Sequence, residues 1–355
     1  MISLDNALEP LSHGGNIEVA AKKYGLPVEH WLDLSTGISP WSYPIPILPE
    51  SVWRDLPPPN DDLLEVAKHY YQCEEHDVVV TPGSQVSIRL IPQLLKQSSV
   101  AIPSIGYQEH AQSWSMAGHR VHYYQSADEL NVLLASNMVH HAVIINPNNP
   151  SGEVFSFEKI EKIAKTVKGT LIVDEAFIDI FVNQEPFSSA VKISADNVIV
   201  LRSVGMFFGL AGIRVGFAIG RGHPVLTKLN ALLAPWSISH VSQYVVTLAL
   251  SDSEWQSQQR TRILEQSSRF EPVLQDLFNK YMTNPVVFRN TGLFHTVFLD
   301  QNDLRDLHDT LARVGVWTRL FNPNDNPAWL RFSLPRSVCA FQERVVKLES
   351  VCTKD

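Results

Sequence analysis

Five short segments carry side chains suited to holding an anion or moving charge, and they follow one another from the first quarter of the chain to its end. In "TPGSQ" (81–85) a Gly-Ser pair stands between an apolar run and a helix-like one. Backbone N–H groups at a helix start, the helix dipole and the Ser84 hydroxyl would form a phosphate cradle, although a plain capped turn accounts for the same residues. "NPNNPSG" (146–152) closes another apolar run. Its Asn, Pro and Gly residues make a rigid turn, or allow Asn149 to donate its amide to an oxygen on a bound ring. In "VDEAF" (173–177) Asp174 follows an apolar run directly. A carboxylate there is costly to bury unless it meets a cation or lies at the sheet's edge. "RSVGMFFGLAGIR" (202–214) supplies Ser203, a glycine-rich turn and Arg214, whose planar fork suits phosphate. In "LRFSLP" (330–335) Arg331 sits among apolar residues, as a structural arginine or as a bidentate clamp for a carboxylate.

Elements that bring such segments together are legible from residue 60 onward. "NDDLLEVAKHYY" (60–71) predicts a helix capped by Asn and Asp, with Leu63, Leu64, Ala67 and Tyr71 at helical spacing. Apolar runs at 77–81, 98–103, 141–146, 169–174, 197–201 and 214–220 predict strands, and their unbroken hydrophobicity predicts a sheet covered on both faces. Helix-like stretches such as 156–169 separate most of them, which is the pattern of an α/β domain with a mostly parallel sheet flanked by helices. Ligands of such sheets collect at the carboxyl ends of the strands, where these segments fall.

A proline-rich stretch (39–61) precedes this core. A helical region at 224–282, a strand at 295–299, a helix at 301–314 and "AWLRFSLP" (328–335) follow it. The division expected is a large domain over 41–235, and a smaller α/β domain formed by 1–40 together with 236–355. No internal repeat is visible.

Of the 355 residues 45 % are hydrophobic and 19 % charged, which permits a large core and argues against disorder. The formal net charge of −8 gives no general attraction to nucleic acid or anionic membranes. The start has no basic segment leading into an apolar one, and no apolar run approaches the roughly 18 residues that span a bilayer, so a cytoplasmic location is expected. Cys73, Cys339 and Cys352 include no C-x-x-C pair, and His140 and His141 are adjacent, so neither a disulfide framework nor a metal site is expected.

The order of the five segments resembles that of fold-type I pyridoxal 5′-phosphate (PLP) enzymes, the aspartate aminotransferase superfamily, and most closely its histidinol-phosphate aminotransferase branch. The likeness extends over nearly the whole chain and implies a PLP-dependent transferase-like fold. It implies that Ser84 and Gln85 help to hold the cofactor phosphate, that Tyr107 in "PSIGYQEH" stacks on the pyridine ring, and that Asn149 binds its O3′. Asp174 would pair with the ring nitrogen and keep it protonated, so that the ring withdraws electrons. Ser203 and Arg214 would complete the phosphate site, and Arg331 would take a substrate carboxylate.

The front of the chain points to one branch. "HGGN" (13–16) and "LDLSTGISP" (32–40) are similar to the amino-terminal motifs of the L-threonine-O-3-phosphate decarboxylases of cobalamin biosynthesis. By that likeness His13 and Asn16 meet the substrate phosphate, and Thr36, Gly37 and Ile38 line the pocket beside its carboxylate. Without it, His13 reads as a surface histidine. Two departures from the aminotransferase pattern agree: Leu56 in "DLPPP" and Phe177 stand where that branch has tyrosines. The resemblance thus implies a homodimeric carboxy-lyase that converts L-threonine O-3-phosphate to (R)-1-aminopropan-2-yl phosphate. An aminotransferase of the histidinol-phosphate type and a noncatalytic PLP or phospho-amino-acid binding homologue are the alternatives.

Counting three residues from Ser203, the Schiff-base lysine position of the family falls on Met206, and no lysine occurs between Lys192 and Lys228. A thioether cannot form an imine or shuttle a proton, although Met fills much the same space as a lysine stem. PLP would then be held noncovalently, and the chain would be inactive or impaired. Met206 stands as a natural, an introduced or a misreported residue.

Overall fold

The computed structural model describes residues 13–181, 190–233, 235–282, 286–299, 301–321 and 328–352. In chain order the strands are β1 (Leu32–Asp33), β2 (Asp77–Thr81), β3 (Ser99–Pro103), β4 (Arg120–Tyr124), β5 (His141–Ile145), β6 (Leu171–Asp174), β7 (Val198–Ser203), β8 (Gly216–Gly220), β9 (Val287–Asn290), β10 (Phe294–Leu299), β11 (Val316–Trp317), β12 (Arg319–Phe321) and β13 (Ala328–Ser333). The helices are α1 (Ile17–Tyr24), α2 (Ser51–Arg54), α3 (Asp61–Tyr71), α4 (Ser84–Leu94), α5 (Glu109–Met116), α6 (Ala127–Ala135), α7 (Phe157–Thr166), α8 (Pro224–Leu232), α9 (His240–Ser251), α10 (Ser253–Tyr281), α11 (Gln301–Arg313) and α12 (Val338–Cys352).

Seven strands form one sheet in the order β2-β8-β7-β6-β5-β3-β4, in which β8 alone runs against its neighbours. All six apolar runs become strands of this sheet. Their residues alternate between two apolar layers: Ile144, Val173 and Val200 feed one, and Val143, Ile172 and Ile199 feed the other. Burial on both faces is what unbroken hydrophobicity provides for.

A second, antiparallel sheet has the order β12-β13-β10-β9, and β1 pairs in parallel with β11. Ser333 N donates to Leu34 O at 2.8 Å, so the amino-terminal segment is joined to the end of β13.

Two expectations need correction. Asn60 occupies the N-cap of α3 but makes no side-chain capping bond, although Leu63, Ala67 and Tyr71 are buried as their spacing requires. The region expected to be helical over 224–282 is three helices. Ser239 caps α9 by accepting from Ser242 N, and Asp252 caps α10 by accepting from Trp255 N; each restarts the helix.

Cys73 is buried and Cys339 exposed, both as free thiols, while the side chain of Cys352 and the start of the chain lie outside the described residues. Among the described residues no helix is long and apolar enough to cross a membrane.

Candidate active site

Thr81 at the end of β2 and Ser203 at the end of β7 both lie opposite Gly216 of β8, so the two glycine-rich turns open at one edge of the sheet. Gly83 adopts φ +79° before α4 begins at Ser84. A side chain there would also meet the guanidinium of Arg214, whose Nη2 would lie 2.5 Å from an added Cβ. Ser203 Oγ accepts from Gly205 N at 3.1 Å. The first N–H groups of α4 have no partner within the helix. Ser84, Ser203 and Arg214 are thus brought to one place with backbone donors beside them. The Gln85 side chain is engaged elsewhere: Nε2 donates to Glu109 Oε2 at 2.8 Å, and Oε1 accepts from Tyr107 Oη at 2.9 Å. What Gln85 can offer a phosphate is its backbone N–H.

Asp174 ends β6, an inner strand, and is buried. Its Oδ2 lies 2.9 Å from His110 Nε2, and its Oδ1 accepts from Ala176 N at 3.1 Å. The next acid, Glu175, turns to the other side of the sheet. There its Oε2 accepts from Arg202 Nη1 at 3.0 Å, and Arg202 also bonds Asp179. Tyr107 stands edge-on to His110, and burial, with Glu109 and Asp174 nearby, pushes its hydroxyl up to about 12.

Arg331 is buried on β13, opposite Thr296 of β10 and Arg319 of β12. Its Nη1 bonds Asn149 Oδ1 and its Nη2 bonds Ser35 O, while Nε is buried without a partner. No carboxylate of the described residues pairs with it. Burial and the neighbouring Arg319 push its guanidinium down to about 9. Because guanidinium only donates, it fixes the Asn149 amide oxygen on its side and leaves the NH2 to donate elsewhere.

Gly37, at φ +76°, donates its N–H to Ser333 Oγ at 2.6 Å. An added Cβ would lie 3.1 Å from the Phe177 ring and 3.6 Å from Arg331 Cζ, so glycine lets the loop pass both. Phe177 stands edge-to-face on Phe294. Thr36 Oγ1 accepts from Ile38 N at 3.3 Å. Gly15 N donates to Ser35 Oγ at 2.8 Å, which lays residues 13–16 against this loop. His13 Nε2 is 3.0 Å from Glu109 Oε1, whereas Asn16 is exposed at the start of α1 and makes no capping bond. Met206 is half-buried against the apolar core, and its carbonyl accepts from Ser39 N at 2.9 Å.

His110, Glu109, Ser35 and Arg319 escaped the sequence reading. His110 falls three residues after Tyr107, in the turn that leads into α5, and that short spacing was the available signal. The donor set fits the chemistry of a phosphorylated aromatic ring, with backbone donors beside Ser84, Ser203 and Arg214, a buried carboxylate, an amide NH2 and a buried arginine. It does not supply an amine at position 206.

The chain belongs to the aminotransferase class I and II family, whose model matches residues 57–338. A threonine-phosphate decarboxylase of Pseudomonas aeruginosa is 39 % identical over 343 residues, covering 93 % of this chain and 95 % of that one. A histidinol-phosphate aminotransferase of Staphylococcus epidermidis is 31 % identical over 185 residues, 51 % of this chain and 49 % of that one. The crystal structure of histidinol-phosphate aminotransferase from Sinorhizobium meliloti in complex with pyridoxal 5′-phosphate shares the fold, with a TM-score of 0.81 and 16 % identity, and covers 99 % of this chain and 97 % of that one.

Proposed function

We propose that the chain holds PLP and takes L-threonine O-3-phosphate, at a site built for its decarboxylation to (R)-1-aminopropan-2-yl phosphate. The observation that carries this reading is Arg331, buried and bonded to Asn149 and Ser35 O but to no carboxylate of the described residues. A buried guanidinium is costly to leave without an anion, and a substrate carboxylate offsets that cost. The full-length similarity to a threonine-phosphate decarboxylase, against half-length similarity to an aminotransferase, supports the same choice.

In this reading Ser84, the Gln85 N–H, Ser203 and Arg214 hold the cofactor phosphate. Tyr107 covers the ring, Asn149 donates to its O3′, and Phe177 packs beside Gly37. Asp174, held by His110, keeps a proton on the ring nitrogen. When bound, the cofactor supplies an electron sink for the pair left by the departing carboxylate. His13 and Asn16 receive the substrate phosphate, Arg331 its carboxylate, and Thr36, Gly37 and Ile38 line the wall.

Met206 leaves the cofactor held noncovalently and impairs turnover. Met206→Lys is expected to restore CO2 release from L-threonine O-3-phosphate without any keto acid. Amino transfer to 2-oxoglutarate would instead favour the aminotransferase. Ligand binding with no turnover, even with lysine restored, would favour a binding protein.

The reading extends to a cytoplasmic homodimer, with a large domain over 41–235. Ile47, Trp53, Leu56 and Trp236 are exposed apolar residues, and Pro57–Asn60 share a cavity of about 370 Å³ with Pro235–Ile238. Apolar surface of this kind supports a covering second subunit.

A further inference from the structure

Glu109, the first residue of α5, is 4 % exposed, and a carboxylate so far from water needs partners. It has three, one from the amino-terminal segment and two from successive turns of α4. Oε1 lies 3.0 Å from His13 Nε2, while Oε2 accepts from Gln85 Nε2 at 2.8 Å and from Arg89 Nη2 at 3.0 Å. Gln85 then passes the connection on, since its Oε1 accepts from Tyr107 Oη at 2.9 Å. The polarity of this chain is set at the carboxylate. An acceptor there takes the Gln85 NH2, which turns the amide oxygen to Tyr107 and makes the tyrosine hydroxyl the donor. The same carboxylate makes His13 donate through Nε2, so that the imidazolium form would present its second N–H, at Nδ1, to a phosphate on the other side of the ring.

A salt bridge to Arg89 would by itself balance the charge. The contacts to His13, 96 positions away in sequence, and to Gln85 do something further. They join the segment that carries His13 to the side chain of Tyr107.

We propose that Glu109 is a positioning residue that docks the amino-terminal segment through His13 and orients Tyr107 through Gln85. Phosphate recognition and the placement of the tyrosine then depend on one carboxylate. The inference rests on the roles proposed above for His13 and Tyr107.

The test is calorimetric binding of O-phospho-L-threonine and of L-threonine to the PLP-loaded chain. Glu109→Gln is expected to lower the preference for the phosphorylated ligand about tenfold, the value of one charge-assisted hydrogen bond, with the change in L-threonine affinity much smaller than that in O-phospho-L-threonine affinity. In a His13→Gln background it should lower the preference no further. A merely structural role would weaken both ligands alike. Should Glu109→Gln fail to fold, Glu109→Asp, one methylene shorter, is expected to show the same selective loss. A preference unchanged in the variant, or lowered equally with His13 already replaced, overturns the proposal. If the parent chain shows no preference, the functional reading has failed, and amide exchange at residues 13–16 decides the positioning role alone. Glu109→Gln should speed that exchange about tenfold, by the same loss of one hydrogen bond, and unchanged exchange overturns the proposal.

Discussion

His110 Nε2 and Asp174 Oδ2 stand 2.9 Å apart, both buried, on residues 64 positions apart in the chain. With Ala176 N on the other oxygen, the carboxylate is fixed in place before any ligand arrives. His110→Phe fills the imidazole's space and leaves Asp174 short of a partner. The expected loss of stability is about 2 kcal/mol by chemical denaturation. PLP affinity, titrated by absorbance, should fall with it, and an unchanged affinity would separate His110 from the cofactor site.

Arg331→Lys keeps a positive charge but cannot reach Asn149 and Ser35 O with one planar group. O-phospho-L-threonine affinity is expected to fall about 30-fold, on the order of 2 kcal/mol, and PLP affinity by clearly less, through the loosened Asn149 amide. Equal losses for both ligands would place Arg331 in the architecture rather than at the substrate.

The histidines set an acid limit. Burial pushes His141 and His295 down to about 4. Between there and the ordinary value near 6.5 the unfolded chain binds more protons, so stability rises with pH across this window and is lost as pH falls through it. Each group accounts for on the order of 3 kcal/mol when the window has been crossed fully. Denaturation midpoints from pH 7.5 to 4.5 should slope accordingly, and His295→Gln should flatten the slope.

Gly83→Ala separates strain from crowding. Arg214 can swing away from the new methyl group, because the near atom is the tip of a flexible side chain. The φ of +79° cannot be relieved so easily, and the expected cost is about 1 kcal/mol. PLP affinity should fall through displacement of Arg214. A second change, Arg214→Ala, should then add little.

The legible parts of this fold were those fixed locally. The run 141–145 is buried at every position and could be read from hydrophobicity alone. Arg120–Tyr124 could not, because an edge strand with exposed Arg120 and Tyr123 carries no unbroken apolar run. In the site, Asp174 and Asn149 stood out as polar residues at or just past the ends of apolar runs, and Arg331 as a charge inside one. Glu109 and His110 did not, since their partners are set by how α5 packs over the sheet. Gln85 was seen as a phosphate ligand, while its side chain is given to Tyr107 and Glu109.

The consecutive acids Asp174 and Glu175 leave their strand toward opposite faces, one to His110 and the other to Arg202. A slip of β6 by one position would turn each acid to the other's face and leave either the histidine or the arginine opposite Val173 or Ala176 instead of a carboxylate. Neither match would survive. The two acids therefore work as a two-sided key, so that threading the sheet correctly and presenting the right carboxylate to the site are one event.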